Sequence, residues 1–327
     1  MFSKEAHLKR DILSKNVEMA PTRDGYGMGL VEVGEKNDQV VALCADLTKS
    51  TRTAAFAEKF PDRFIQMGIA EQNMAGVAVG LALQGKIPFA STYAVFCPGR
   101  NWDQIRISVC YNRANVKLAG AHTGISVGPD GATHQAMEDI ALTRVLPGMT
   151  VLVPADREET RKAVHAAAEL KGPVYLRFAR AESPLFTSDK TPFKIGKALT
   201  LREGKDVAII GAGPMIHAAL VAADQLIEQD ISCLVANSPS VKPLDEEAME
   251  KAARQTGAVV TVEEHQVMGG VGSAIAECLA KKYPVPMEFI GMQNSFGESG
   301  TPEQLLKKYK MDTEAIVTAV KKVVRRK

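Results

Sequence analysis

The chain has 327 residues, enough for two domains of ordinary size, each with its own core. Hydrophobic residues make up 46% and charged residues 24%, the balance of a soluble globular protein. The 40 basic and 38 acidic residues leave a net charge of +2, so no global field favours nucleic acid or an anionic membrane. Charges in the opening Met1-Phe2-Ser3-Lys4-Glu5 oppose a secretory signal, and no run approaches membrane-span length. Five cysteines, odd in number and widely spaced, carry no zinc-site spacing; the expectation is reduced thiols, a cytoplasmic location and no metal site within this chain.

Apolar runs of strand length alternate with helical patterns. In chain order, strands are expected at Gln39–Ala45, Arg63–Met67, Ile87–Tyr93, Val116–Ala121, Thr150–Val153 and Val174–Phe178. Helical stretches lie between them at Thr51–Lys59, Asp103–Tyr111, His134–Val145 and Glu158–Leu170. Another helix follows Glu71, where Met74, Val77, Ala78 and Leu81 recur at i, i+3, i+4 and i+7. This alternation implies a mostly parallel sheet covered by helices, because parallel strands need long crossovers. From Arg180 to Thr191 the pattern lapses, and prolines 184 and 192 mark a linker.

A second β/α series then begins. Its expected strands are Asp206–Gly211, Ser232–Ala236, Ala258–Glu263 and Met287–Met292; its expected helices are His217–Glu228, Glu246–Gln255, Gly272–Lys282 and Glu314–Val324. The fold expected is therefore α/β with two domains, 1–190 and 191–327, each a mostly parallel sheet covered by helices. Gly211-Ala212-Gly213 invites a dinucleotide reading, but Ile216 stands where the third glycine belongs, so a tight βα turn is expected. Glu263-Glu264-His265 reads as structural or as a subunit contact. The closing Lys321-Lys322-Val323-Val324-Arg325-Arg326-Lys327 reads as a solvated helix end.

Glu71 is the most informative residue. It sits in Gly68-Ile69-Ala70-Glu71-Gln72-Asn73-Met74, between a short strand and an apolar helical stripe, at the carboxyl end of a strand where open α/β sheets collect ligands. Tyr93 and Phe96 close a later strand. A glycine-punctuated loop follows the next one, from His122 through Asp130 to His134 and Gln135. Two imidazoles and a carboxylate on such a loop can bind a polyhydroxylated substrate and exchange protons with it, since His both donates and accepts near neutral pH. Arg23, Ser50 and Arg180 offer guanidinium forks and a hydroxyl suited to phosphate, with Arg177 a rival to Arg180.

Together, Glu71 with its flanks, Thr92-Tyr93-Ala94-Val95-Phe96 and the His122–Gln135 loop resemble the pyrimidine-binding half of transketolase, a thiamine-diphosphate enzyme. The resemblance is strong from Arg23 to Arg180 and continues more weakly through the rest of the chain. It implies that Glu71 bonds a nitrogen of the cofactor's aminopyrimidine and that Tyr93 and Phe96 wall the ring, the family's third aromatic position being Gly99 here. By the same match Asp46 lies near the cofactor, and Arg23, Ser50, His122 and Arg180 contact substrate phosphate. Asp130 would reach a hydroxyl near the reacting carbons, and His134 the oxygens around the reacting carbonyl.

The resemblance covers one half of that family. Its diphosphate and divalent metal, magnesium or another, are held by a Gly-Asp-Gly motif in the other half, and no Gly-Asp-Gly occurs in this sequence. The expectation is the C-terminal subunit of a split transketolase, completed in trans by an N-terminal subunit, with two such pairs in a heterotetramer. The implied reaction moves a two-carbon ketol unit from a ketose phosphate to an aldose phosphate. Three alternatives are a 2-oxo acid dehydrogenase β subunit, a fragment of deoxyxylulose-phosphate synthase, and a noncatalytic regulatory subunit. The phosphosugar set Arg23, Ser50, His122 and Arg180 speaks against the first, and the start at residue 1, read as a gene boundary, against the second. Retention of Glu71, Asp130 and His134 speaks against the third.

Overall fold

A computed structural model describes residues 1–14 and 16–327. In chain order the first part runs β1 (Met19–Pro21), α1 (Thr22–Lys36), β2 (Val40–Cys44), α2 (Ala54–Lys59), β3 (Phe64–Gln66), α3 (Glu71–Leu83) and β4 (Ile87–Tyr93). It continues with α4 (Trp102–Gln104), β5 (Lys117–Ala121), α5 (Asp139–Arg144), β6 (Thr150–Leu152), α6 (Arg157–Glu169), β7 (Val174–Arg177) and β8 (Glu182–Pro184). Then come β9 (Leu199–Arg202), β10 (Val207–Gly211), α7 (Met215–Gln225), β11 (Cys233–Asn237), β12 (Ser240–Lys242) and α8 (Glu246–Thr256). The last elements are β13 (Val259–Gln266), α9 (Val271–Lys282), β14 (Met287–Met292), α10 (Pro302–Lys308) and α11 (Thr313–Val324).

Seven strands form the larger sheet in the order β12-β6-β7-β5-β4-β2-β3, and five form the smaller in the order β14-β13-β10-β11-β9. Every pairing in the two sheets is parallel except those of β12 with β6 and β9 with β11, so the α/β architecture expected from the sequence is the one observed. From β2 the chain steps outward to β3, then crosses back over β2 to add β4 on the other side. The order reverses between β2 and β4, and the loops leaving their carboxyl ends diverge into the crevice where such sheets hold ligands.

Several expected elements change on folding. The helix expected at His134–Val145 is confined to α5, because Thr123 pairs with Ala136 and the Gly124 amide donates to the Ala136 carbonyl at 2.9 Å, which keeps the preceding residues extended. The helix expected from Thr51 begins at Ala54, since the Thr51 and Thr53 amides close turns onto Leu47 and Thr48. Beyond α4 the helix widens to π geometry over Ile105–Tyr111. The segment expected to be a plain linker contains β8, which pairs antiparallel with β1.

Helix α1 is glycine-rich because it lies hard against α6: a Cβ on Gly25 would stand 2.0 Å from the Arg157 carbonyl oxygen. One apolar cluster runs continuously from Val41, Leu43 and Leu118 of the larger sheet to Ile210, Leu234 and Val259 of the smaller. The two sheets therefore share a core, and β12, from the later part of the sequence, is an edge strand of the earlier sheet. Gly211-Ala212-Gly213 forms a tight turn into α7, with the Gly213 amide on the Val153 carbonyl at 3.1 Å.

Buried carboxylates line this seam. Glu159 accepts from the Ala155 amide at 2.6 Å and from Asn237 Nδ2 at 2.8 and 3.0 Å, and burial pushes it up to about 7. A carboxyl group raised on folding favours the folded state below its unfolded value of 4.5 and loses that contribution as pH climbs through about 7. Glu159→Gln removes the ionisation, and turning over the Asn237 amide, whose Nδ2 now faces both carboxylate oxygens, lets its unpartnered Oδ1 accept from the new side chain. Urea midpoints of wild type and variant should converge near pH 5, with the variant the more stable at pH 8; the reverse ordering would mean that the ionised carboxylate stabilises the seam.

Candidate active site

The side chains singled out in the sequence leave the larger sheet at one edge. Proceeding across it, β3 leads to Glu71, β2 to Asp46 and Ser50, β4 to Tyr93 and Phe96, β5 to His122, and β7 to Arg180. Parallel pairing puts all these carboxyl ends on the same side, which is why residues far apart in sequence meet there.

Four rings form the centre. His122 stacks on Tyr93 with centroids 4.0 Å apart, Tyr93 lies nearly parallel to Phe96 at 6.0 Å, and His134 meets both edge-on at 5.9 and 5.7 Å. His134 Nδ1 is 2.9 Å from Thr133 Oγ1. His122 adopts a left-handed backbone, φ 59°, a conformation that costs a non-glycine residue about 1–3 kcal/mol and is held by its surroundings. Its Nδ1 is buried without a partner. Burial, then the fields of Arg23, Arg180, His134 and Arg52, push the imidazole down to about 3. It is therefore neutral across the working range, a hydrogen-bonding ring rather than a cation.

Cations border the rings on one side. Arg23 donates to the Ser50 carbonyl at 3.1 Å, while its Nε is buried and unpartnered. Arg180 donates to the Val127 carbonyl at 2.9 Å and faces Asp130 at 3.5 Å, both side chains about one-third exposed. Desolvation, followed by repulsion from Arg52, holds the Arg23 guanidinium below its ordinary value, and Arg180 adds to that repulsion. Positive charge is thus gathered beyond what the nearby carboxylates neutralise, the electrostatics of an anion site.

Glu71 is the first residue of α3 and 1% exposed, with Oε2 bonded to Arg100 Nη1 at 2.7 Å. Arg100 in turn lies over the Phe96 ring, 4.2 Å from its centroid, so contacts run from Glu71 to the ring cluster. Asp46 stands apart: its backbone is left-handed, φ 57°, its amide is held by Gln66 Oε1 at 2.8 Å, and its side chain is exposed, making no ion pair among the described residues. Arg177 points away from the site. It is 3% exposed and binds Asp139 at 2.8 and 3.2 Å together with the Ala136 and Glu264 carbonyls.

Sequence reasoning missed Arg52 and Arg100. Arg52 holds a left-handed backbone, φ 65°, and donates to Asp24 at 2.6 Å, so that carboxylate acts on the adjacent Arg23 only through its field. Its place two residues beyond Ser50 was the available signal. A groove of about 910 Å³ between α1 and α2 borders the cluster through Asp24 and Arg52, but neither the four rings nor Glu71 line it. Glu263 and Glu264, read from sequence as structural or as a subunit contact, cap the start of α9 and hold the Ser126 amide at 3.0 Å respectively.

Residues 18–184 match the transketolase pyrimidine-binding domain, and residues 196–316 match the transketolase C-terminal domain. The 6-deoxy-6-sulfo-D-fructose transketolase subunit SqwH of a Clostridium species is 43% identical over 305 residues, 93% of this chain and 95% of that one. Transketolase of Mus musculus is 39% identical over 307 residues, 93% of this chain but 49% of that protein, so the chain spans about half its length. A solved split-gene transketolase, an inactive β4 tetramer, is similar at TM-score 0.88 and 50% identity, covering 93% of this chain and 98% of that one. The chain belongs to the transketolase family, and its two matched domains are those that split transketolases carry as a separate C-terminal section.

The two rival arginines separate experimentally. Arg177→Met should cost about 3–5 kcal/mol, because it strands the Asp139 carboxylate in the interior. Arg180→Ala should move the urea midpoint little, since exposed pairs contribute about 0–1 kcal/mol. Equal destabilisation by the two would show that Arg180 also carries structural load.

Proposed function

We propose that this chain is the C-terminal subunit of a thiamine-diphosphate-dependent transketolase that moves a two-carbon ketol unit from a ketose phosphate to an aldose phosphate. The observation that carries the reading is the convergence, at one sheet edge, of a buried carboxylate, a cluster of aromatic and imidazole rings, and a surplus of guanidinium groups. An aminopyrimidine needs a flat apolar wall and a carboxylate within hydrogen-bond reach. Tyr93, Phe96 and Glu71 fit both needs, and the unpartnered Nδ1 of buried His122 fits a polar ligand in the same crevice.

When bound, the cofactor supplies a thiazolium carbanion and the electron sink for the two-carbon unit. The chain's own residues do the rest of the work assigned to this half. Glu71 holds or shares a proton at a pyrimidine nitrogen. His134 exchanges protons with oxygens around the reacting carbonyl, His122 hydrogen-bonds as a neutral ring, and Asp130 accepts from a substrate hydroxyl. Arg23, Ser50 and Arg180 take the phosphate, with Asp46 near the cofactor. The diphosphate and its divalent metal, magnesium or another, fall to an N-terminal partner subunit, and two pairs make a heterotetramer in the cytoplasm. The pyrimidine-binding unit spans 1–190 and the C-terminal unit 191–327.

Glu71→Gln keeps the size of the side chain and loses the charge; in the assembled enzyme, turnover should fall by about 10²–10⁴ with folding intact. Wild-type turnover in that variant would remove Glu71 from the chemistry. Arg180→Ala should raise KM for phosphorylated sugars by about one to two decades and leave unphosphorylated analogues little changed, the loss of one charge-assisted contact. For the subunit division, calorimetric titration of the pure chain with thiamine diphosphate and magnesium should show weak binding and no ketol transfer, both restored by a partner carrying the diphosphate grip. Micromolar binding with full catalysis by the pure chain would overturn that division.

A further inference from the structure

Phe96 is followed by Cys97, Pro98, Gly99 and Arg100, and the resemblance set out above puts the family's third aromatic position at Gly99. The gap is built into the backbone. A Cβ on Gly99 would stand 2.1 Å from the Val95 carbonyl oxygen and 3.0 Å from its carbon, so the turn admits no side chain there. The next residue carries the side chain that meets Phe96. Arg100 lays its guanidinium over Phe96 at 4.2 Å and reaches Glu71 Oε2 with Nη1 at 2.7 Å.

The position of Arg100 is fixed from several sides. Its amide donates to the Phe96 carbonyl at 3.0 Å, its carbonyl accepts from Gln72 Nε2 at 3.4 Å, and neighbouring Asn101 donates to the Glu71 carbonyl at 3.2 Å. The turn is therefore laced to the first residues of α3. Among the described residues Arg100 is the one cation paired with the Glu71 carboxylate. Close by, burial keeps the Cys97 thiol protonated.

A guanidinium is flat, permanently charged and stacks on aromatic faces, so it can stand in for a ring while adding a charge that a ring lacks. We infer that Arg100 takes the place of the absent third aromatic, giving the pyrimidine subsite both a flat wall and a fixed counter-charge for Glu71. This rests on the function proposed above. It assigns to one residue two jobs that different substitutions can separate.

The test uses the assembled enzyme with thiamine diphosphate and magnesium, reading cofactor affinity by calorimetry and turnover at saturating cofactor. Arg100→Ala should weaken cofactor binding about tenfold, the scale of a lost cation–π or stacking contact, and should lower turnover about tenfold or more. Arg100→Phe restores the plane without the charge: affinity should return to within about threefold of wild type while turnover stays low. Arg100→Lys restores the charge without the plane, and turnover should recover while affinity does not. Unchanged or tighter binding by Arg100→Ala would overturn the inference and make the arginine an occupant that the cofactor displaces. Equal losses in all three variants, with a lowered urea midpoint, would overturn it in favour of a structural tie. If the wild-type assembly takes up no cofactor, the proposed function falls and this inference with it; uptake by wild type and Arg100→Ala alike removes this inference alone.

Discussion

One buried guanidinium fastens the candidate site to the rest of the molecule. Arg177, at the end of β7, binds both carboxylate oxygens of Asp139 at the start of α5, and Tyr175 donates to the same carboxylate at 2.8 Å. The guanidinium also holds the Ala136 carbonyl at 3.3 Å and the Glu264 carbonyl at 2.7 Å. Glu264 belongs to the smaller sheet, and its carboxylate takes the Ser126 amide. The loop carrying His122, Asp130 and His134 is thus secured near both ends, from its own sheet and from the other one. Charges in a low-dielectric interior are stable only when they are paired and hydrogen-bonded, and no side-chain atom of Arg177, Asp139 or Tyr175 is among the buried polar atoms left without a partner.

The site built on this anchorage is electrostatically divided. On one side rings pack around a neutral His122; on the other, Arg23, Arg52 and Arg180 repel one another across a crevice with few countercharges. The division follows from the strand order. Loops after β4 and β5 supply the rings, while the loop after β2, the start of α1 and the end of β7 supply the charges. A ligand with a flat apolar end and an anionic end would find each half already oriented. The left-handed backbones at His122, Asp46 and Arg52 are local costs that tertiary contacts sustain.

Much of this was legible in the sequence, and the exceptions have physical causes. The central parallel strands are apolar runs buried on both faces, so they announce themselves without any partner in view. Tyr93, Phe96, His122 and Arg180 could be found because each ends or follows such a run, and Glu71 because the apolar stripe of α3 starts at it. Helix α1 was hidden by glycines 25, 27, 29 and 34, which weaken the local preference for helix and are tolerated because they let α6 and α2 approach. Strand β12 is three residues long and owes its existence to an edge of β6 that no local pattern reveals. Arg100 was passed over because its partner lies 29 residues earlier and its stacking depends on how one glycine turn places it.

The contrast between Arg177 and Arg180 shows how burial decides what one residue type does. The two stand three positions apart, so sequence alone offers both as phosphate ligands, and in the structure each faces an aspartate. The Arg177 pair is closed off, 3% and 1% exposed, and parting it would leave an unanswered charge at a cost of about 3–5 kcal/mol. No soluble anion gains enough from a single guanidinium to offset that. The Arg180 pair is about one-third exposed and 3.5 Å apart, a geometry holding roughly 0–1 kcal/mol. A contact that weak stays open to exchange with an anion from solution. The same exchange is closed to Arg177 by depth alone, so the partner each arginine already holds, and how dry that contact is, decides which of the two stays open to an anion.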